Sequence, residues 1–214
     1  KTFKTNTNYQ IKQMKIIKIT FLFIVIASLT SCASGYKMIE PKTINYVSTN
    51  ETDNVKLEYK YDLLDKKYAK KEIKKEVRLV AVKITNNSDK DIMFGGNTKL
   101  TYENGTEISV LENDKVFKTL KQSPASYLFY LLLTPLNFTT SSSSGNSSST
   151  PIGLIVGPGL TGGNMIAAIS ANKKFKTQML EYNINGSIIK KGETKYGLIG
   201  IKSDSFDSLK LKIE

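Results

Sequence analysis

The sequence predicts a mainly β protein, an antiparallel β-sandwich interrupted by one apolar, partly helical insertion. Three observations predict it. Short segments that alternate apolar and polar residues recur between Asn- and Gly-bearing turns at both ends of the chain. The chain has no histidine and no tryptophan, and its single cysteine, Cys32, rules out an internal disulfide, so packing must supply the stability. Between the two groups of strand signals, residues 122–180 follow a different pattern.

The elements follow in order. Residues 1–13 fit no part of the scheme; Met14 is the expected start and 1–13 are read as a non-native leader. Residues 14–31 are expected to form an N-terminal signal helix, with Lys15 and Lys18 ahead of the apolar run ITFLFIVIASL at 19–29. That run falls short of the roughly 20 apolar residues needed to span a bilayer. Residues 32–42 are read as a tether and 43–214 as the β-sandwich domain. In VKLEYKYD, Val55, Leu57, Tyr59 and Tyr61 alternate with polar residues, which marks a half-buried strand. EVRLVAVKIT, 76–85, is apolar on both faces and reads as a central strand. Asn86-Asn87-Ser88-Asp89 is a turn, because Asn and Asp bond their own backbone. Strands are expected near 91–94, 97–103 and 106–111, with Asn104-Gly105 as a hairpin turn. Residues 187–202 give two further segments around Gly192, and Leu209, Leu211 and Ile213 share one face of a last strand.

The insertion, 122–180, begins with the apolar YLFYLLL stopped by Pro135. TTSSSSGNSSST, 139–150, is low in complexity and expected to be disordered. A Gly-rich apolar segment then leads into a helix with Met165, Ala168, Ile169, Asn172, Phe175 and Met179 on one face. Gly153 with Gly157, and Gly159 with Gly163, have the spacing that lets helices approach closely.

Leu29-Thr30-Ser31-Cys32 resembles the lipobox of bacterial lipoproteins. The resemblance implies a thioether-linked diacylglycerol on Cys32, cleavage just before it, and acylation of the new amino terminus with a chain such as palmitate. Two or more chains anchor stably where one holds marginally. LVAVKITNNSDKDI, followed much later by KKGETKYGLIGI and an alternating strand, resembles the Ig-like β-sandwich domains of Bacteroidetes-like lipoproteins of unknown function. It implies a lipid-anchored binding or scaffolding module at the outer membrane, facing the periplasm, with an unidentified envelope protein as partner. The alternative is a membrane-embedded or membrane-perturbing component that uses the insertion.

Composition bounds the chemistry. The formal charge is +12, but residues 1–31 carry five lysines and no acid, so the remainder has a net charge of +7. Arg78 is the sole arginine, which argues against nucleic-acid partners, since these favour arginine for bidentate contacts. Without histidine or a free thiol, His-based triads, His/Cys zinc sites and cysteine nucleophiles have no residues to work with. No pair of carboxylates or Ser–Lys pair stands out, so the expectation is a non-enzyme without cofactor or metal. Gly157-Pro158-Gly159-Leu160-Thr161-Gly162 fits G-x-G-x-x-G, yet no neighbouring βα units surround it and Pro158 removes an amide, so no nucleotide is expected. Lys66, Lys67, Lys70, Lys71, Lys74 and Lys75 recur at helical spacing and are candidate contacts for anionic lipid.

Overall fold

The structure, a computed structural model, describes residues 33–141 and 147–214. The leader, the signal segment, Leu29, Thr30, Ser31 and Cys32 lie outside the described residues, as does the centre of the Ser-rich run.

The first strands are β1 (Ser48–Thr52), β2 (Val55–Lys60) and β3 (Val77–Asn86), with helix α1 (Lys66–Lys75) between the last two. β4 (Ile92–Met93), β5 (Thr98–Tyr102), β6 (Glu107–Ile108) and β7 (Val110–Leu111) precede helix α2 (Asn113–Leu120). A 3-10 helix (Pro124–Leu133), β8 (Phe138–Ser141) and β9 (Ser147–Thr150) lead to helix α3 (Gly153–Glu181). β10 (Ile188–Ile189), β11 (Thr194–Lys202) and β12 (Leu209–Ile213) close the chain.

The main sheet has the order β1-β2-β3-β11-β7, and a second sheet has the order β12-β5-β6. Every pairing between these strands is antiparallel. β3 and β11 pair in unbroken register from Val77↔Lys202 to Thr85↔Thr194. The expected strand at 106–111 is two strands: Ser109 separates β6, in the smaller sheet, from β7, in the main one. β1, STNET, lacks the apolar alternation that marks the other strands, and its turn into β2 places Asp53 and Asn54 at φ 51° and 62°. That is the geometry of a two-residue hairpin turn, built here without glycine.

β3 is buried on both faces because its side chains alternate between two cores. Val80, Val82 and Ile84 join Leu57 and Tyr59 of β2, Leu100 of β5, Ile199 of β11 and Leu211 of β12. Val77, Leu79 and Ala81 instead meet Tyr68 of α1, Val116 and Leu120 of α2, and Ala171, Phe175 and Met179 of α3. The main sheet is thus covered by strands on one side and helices on the other. At Gly200 of β11, an added methyl would lie 2.2 Å from Val116 Cγ2, so the glycine lets α2 settle on the sheet.

Three expectations are corrected. The stretch read as a tether is packed: Tyr36 and Ile39 belong to the helical-side core, and Ser34 is buried. Tyr36 rings lie 5.4 Å from Tyr68 and 5.2 Å from Phe175, so aromatic burial holds this strap down. The ends of the Ser-rich run are ordered, with Phe138–Ser141 paired to Ser147–Thr150. Finally, the helix begins at Gly153 and runs through the glycines; Ile169, grouped on one face with Ala168 and Asn172, is 54% exposed while those two are buried.

Glu72 of α1 is 4% exposed, and its Oε1 accepts a hydrogen bond from Leu79 N at 2.7 Å. Burial pushes its carboxyl up to about 7, opposed by that N–H and by Arg78 and reinforced by Asp62. Between about pH 4.5 and 7 the folded protein keeps a proton that the unfolded chain has released, so stability falls as pH rises through that window. Chemical denaturation of Glu72→Gln should lack this fall, which for the native chain is on the order of 3 kcal/mol. Gly200→Ala should cost about 1–3 kcal/mol through overpacking, and Val116→Ala in the same chain should recover part of it. Equal losses in the single and double variants would show that the α2 contact is not the cause.

Candidate functional site

The first and last charges around the insertion are Lys121 and Lys173; residues 122–172 contain no Asp, Glu, Lys or Arg. The apolar and Gly-rich pieces stand out separately in the sequence, and the continuous uncharged run that joins them was missed there. The structure folds it into a hairpin: the 3-10 helix leads out, the β8–β9 ribbon turns the chain, and the first half of α3 returns.

The 3-10 helix shows a period of three. Such a helix has 3.0 residues per turn, so side chains three apart eclipse. Tyr127 and Tyr130 are buried on one side, with rings stacked 6.3 Å apart at 5°. The other two sides carry Leu128, Phe129, Leu131 and Leu132, which are exposed; Phe129 and Leu132 are each 74% exposed. On α3 the buried face is Gly153, Gly157, Thr161 and Asn164, while Leu154, Ile155, Val156, Ile166 and Ile169 face outward. Ten of the seventeen large apolar side chains that stand exposed among the described residues fall within 124–169. That concentration distinguishes the hairpin from ordinary surface, where such side chains are scattered.

The glycine spacing now separates into two cases. A methyl on Gly153 would lie 2.2 Å from Leu133 O and 2.4 Å from Thr134 O, and one on Gly157 would lie 2.8 Å from Thr134 Oγ1. These two glycines bring the 3-10 helix against α3. Thr161 Oγ1 lies at the same seam, donating to Gly157 O at 2.8 Å with Tyr127 O 3.3 Å away. Gly159, Gly162 and Gly163 meet nothing within 4 Å. Gly157–Gly162 therefore sits inside a helix and not at a strand-to-helix turn, so its backbone is not arranged as a phosphate cradle.

Three buried amides fix the root of the hairpin. Gln122 Nε2 donates to Ser34 O at 2.6 Å, and Gln122 Oε1 accepts from Ser34 N at 3.2 Å. Asn172 pairs in the same reciprocal way with the backbone of Gln122, accepting from its N at 2.8 Å and donating to its O at 2.9 Å. Asn172 Oδ1 also accepts from Tyr68 OH at 3.0 Å. Gln178 Oε1 accepts from Tyr36 OH at 2.5 Å and from Ile39 N at 3.0 Å. The strap, both ends of the hairpin and α1 are thereby tied at one place.

All six predicted lysines lie on α1. Lys67 Nζ donates to Tyr127 OH at 2.7 Å and stands 4.5 Å from that ring's centroid. Lys71 Nζ donates to Lys121 O. Burial lowers the Lys71 pKa, and the charges of Lys75, Lys121 and Lys74 lower it further. Lys66, Lys70, Lys74 and Lys75 are exposed. Comparison with family models, with curated proteins and with solved structures finds no match for the chain.

Alanine substitutions should separate the two glycine pairs. Gly153→Ala should force the 3-10 helix off α3 and expose Tyr127 and Tyr130 to faster amide exchange nearby. Gly159→Ala should leave that seam intact and favour the helix by up to about 1 kcal/mol. If hydrogen exchange across 124–164 responds equally to both, the close approach is not what holds the hairpin.

Proposed function

We propose that the chain is a lipid-anchored, non-enzymatic module of the cell envelope, an Ig-like β-sandwich that holds its hairpin in the same membrane as its lipid. The observation that carries this is the uncharged hairpin with leucine, isoleucine and phenylalanine turned outward on both arms. α3 has the length and composition of a membrane-crossing helix, with a mean hydropathy of 1.4 over its best window and 22% of that window buried. The core helix of a water-soluble domain is mostly buried. From Gly153 to Asn172, α3 extends about 30 Å, close to the hydrocarbon thickness of a bilayer.

The lipidated residue in this proposal is Cys32, with Leu29, Thr30 and Ser31 as its recognition sequence. One residue, Ala33, separates it from Ser34, so covalent geometry keeps its Cα within about 7 Å of the strap's first anchored residue. Ser34 is bonded to Gln122, the residue from which the hairpin departs. The acyl chains and the hairpin would then enter the bilayer side by side. The membrane favoured is the outer one, with the β-domain on its periplasmic side presenting a surface to an envelope partner. The membrane-embedded alternative from the sequence and the lipid-anchored module become one arrangement.

The test uses metabolic labelling with an alkyne fatty acid together with alkaline extraction of membranes. Wild-type chain should take label and Cys32→Ala should not. Cys32→Ala should nevertheless stay in the extracted membranes, and adding Phe129→Glu, Ile155→Glu and Ile166→Glu should release it. Complete release of Cys32→Ala alone would mean that the hairpin is not a bilayer element and that its apolar surface covers a protein partner. Absence of label on the wild type would remove the lipid anchor.

A further inference from the structure

A group of lysines stands beside the hairpin root. Lys67, Lys71, Lys74 and Lys75 lie along one side of α1, which the 100° step per residue brings toward the root. Lys121 comes from the other direction, at the start of the hairpin's first arm. Contact already exists there, since Lys67 reaches Tyr127 of the 3-10 helix and Lys71 reaches the carbonyl of Lys121. Among the described residues, no carboxylate lies within ion-pair distance of Lys71, Lys74, Lys75 or Lys121. The carboxylate on the same helix, Glu72, points inward to Leu79 N. Asp65 and Glu76 flank the helix ends.

Lys71, Lys74, Lys75 and Lys121 repel one another, and the fold concentrates them where it also begins its uncharged arm. In a bilayer, phosphate groups lie at that level, directly outside the hydrocarbon. We propose that the hairpin root is a seat for anionic phospholipid headgroups, held by Lys67, Lys71, Lys74, Lys75 and Lys121. The seat rests on the membrane-held hairpin proposed above and adds to it a lipid preference. Each lysine near an anionic surface strengthens attachment severalfold, and the gain weakens with salt.

The experiment is flotation of the full chain carrying Cys32→Ala, so that acyl chains do not mask the difference. Vesicles are phosphatidylcholine alone or phosphatidylcholine with one-third phosphatidylglycerol. The anionic vesicles should bind it more tightly, on the order of 100-fold at low salt. Lys71→Gln, Lys74→Gln and Lys121→Gln together should remove most of this gain and leave binding to neutral vesicles unchanged. Lys42→Gln, Lys90→Gln and Lys202→Gln together remove the same charge elsewhere and should keep most of the gain. Equal binding of the starting chain to both vesicle types overturns the seat and spares the hairpin. Equal loss in the two triple variants also overturns it, because net charge then suffices. Binding to neither vesicle type overturns the hairpin and the seat together.

Discussion

Buried backbone must find hydrogen bonds, and the rest of the structure depends on how three side-chain amides meet that demand. The strap at Ser34 and Ile39 and the hairpin's departure at Gln122 are breaks in regular structure with buried peptide groups. Left unpaired, each such group costs about 1–3 kcal/mol. A primary amide has a donor and an acceptor side by side, as a peptide does. Gln122, Asn172 and Gln178 therefore each imitate one rung of a strand pairing, joining segments far apart in sequence. Shortening or charging any of them would strand the N–H and C=O of the residue it pairs with, Ser34, Gln122 or Ile39.

This knot sits against the helical face of the main sheet, and the sheet explains why it holds. β3 and β11 are central, and both faces of β3 are apolar, so the same backbone anchors two cores. Tyr36, Tyr68, Phe175 and Phe117 bring ring edges and faces together in the helical core. α3 divides its length between the two environments. Its second half is part of this core, through Ala171, Phe175 and Met179, while its first half leans on the 3-10 helix through glycine contacts. The hairpin is continuous with a rigid body by virtue of one uninterrupted helix.

Much of the sheet was legible because strand alternation is local. The segments at 55–62, 76–85, 187–202 and 208–213 appear as β2, β3, β10 with β11, and β12, and Asn104-Gly105 turns between β5 and β6. The strap was not legible, because Tyr36 and Ile39 carry no periodicity and the rings that pack on Tyr36, Tyr68 and Phe175, are distant in sequence. α2 was missed because an eight-residue helix between two strands shows barely two turns of pattern. The glycines of α3 concealed the helix start, since glycine disfavours helix and close packing against the 3-10 helix overrides that preference at Gly153 and Gly157. The 3-10 helix itself escaped because a run of seven apolar or aromatic residues suits a strand, a helix or a membrane segment equally. Helical spacing of the α1 lysines was visible, but their approach to Tyr127 and Lys121 depends on tertiary packing.

The two arms of the hairpin count residues differently, and this limits how the chain can vary in length. One turn takes three residues and about 6 Å in the outgoing arm. The returning arm needs four residues for about the same rise. Deleting one residue between Pro124 and Leu133 would rotate everything beyond it by a third of a turn. The stacked tyrosine rings would then swing outward and phenylalanine or leucine would swing against α3. Deleting three from that arm and four from the facing part of α3 would preserve both faces and bring the ribbon about 6 Å closer to the root. A change in hairpin length that keeps both faces in place must therefore come in such unequal pairs.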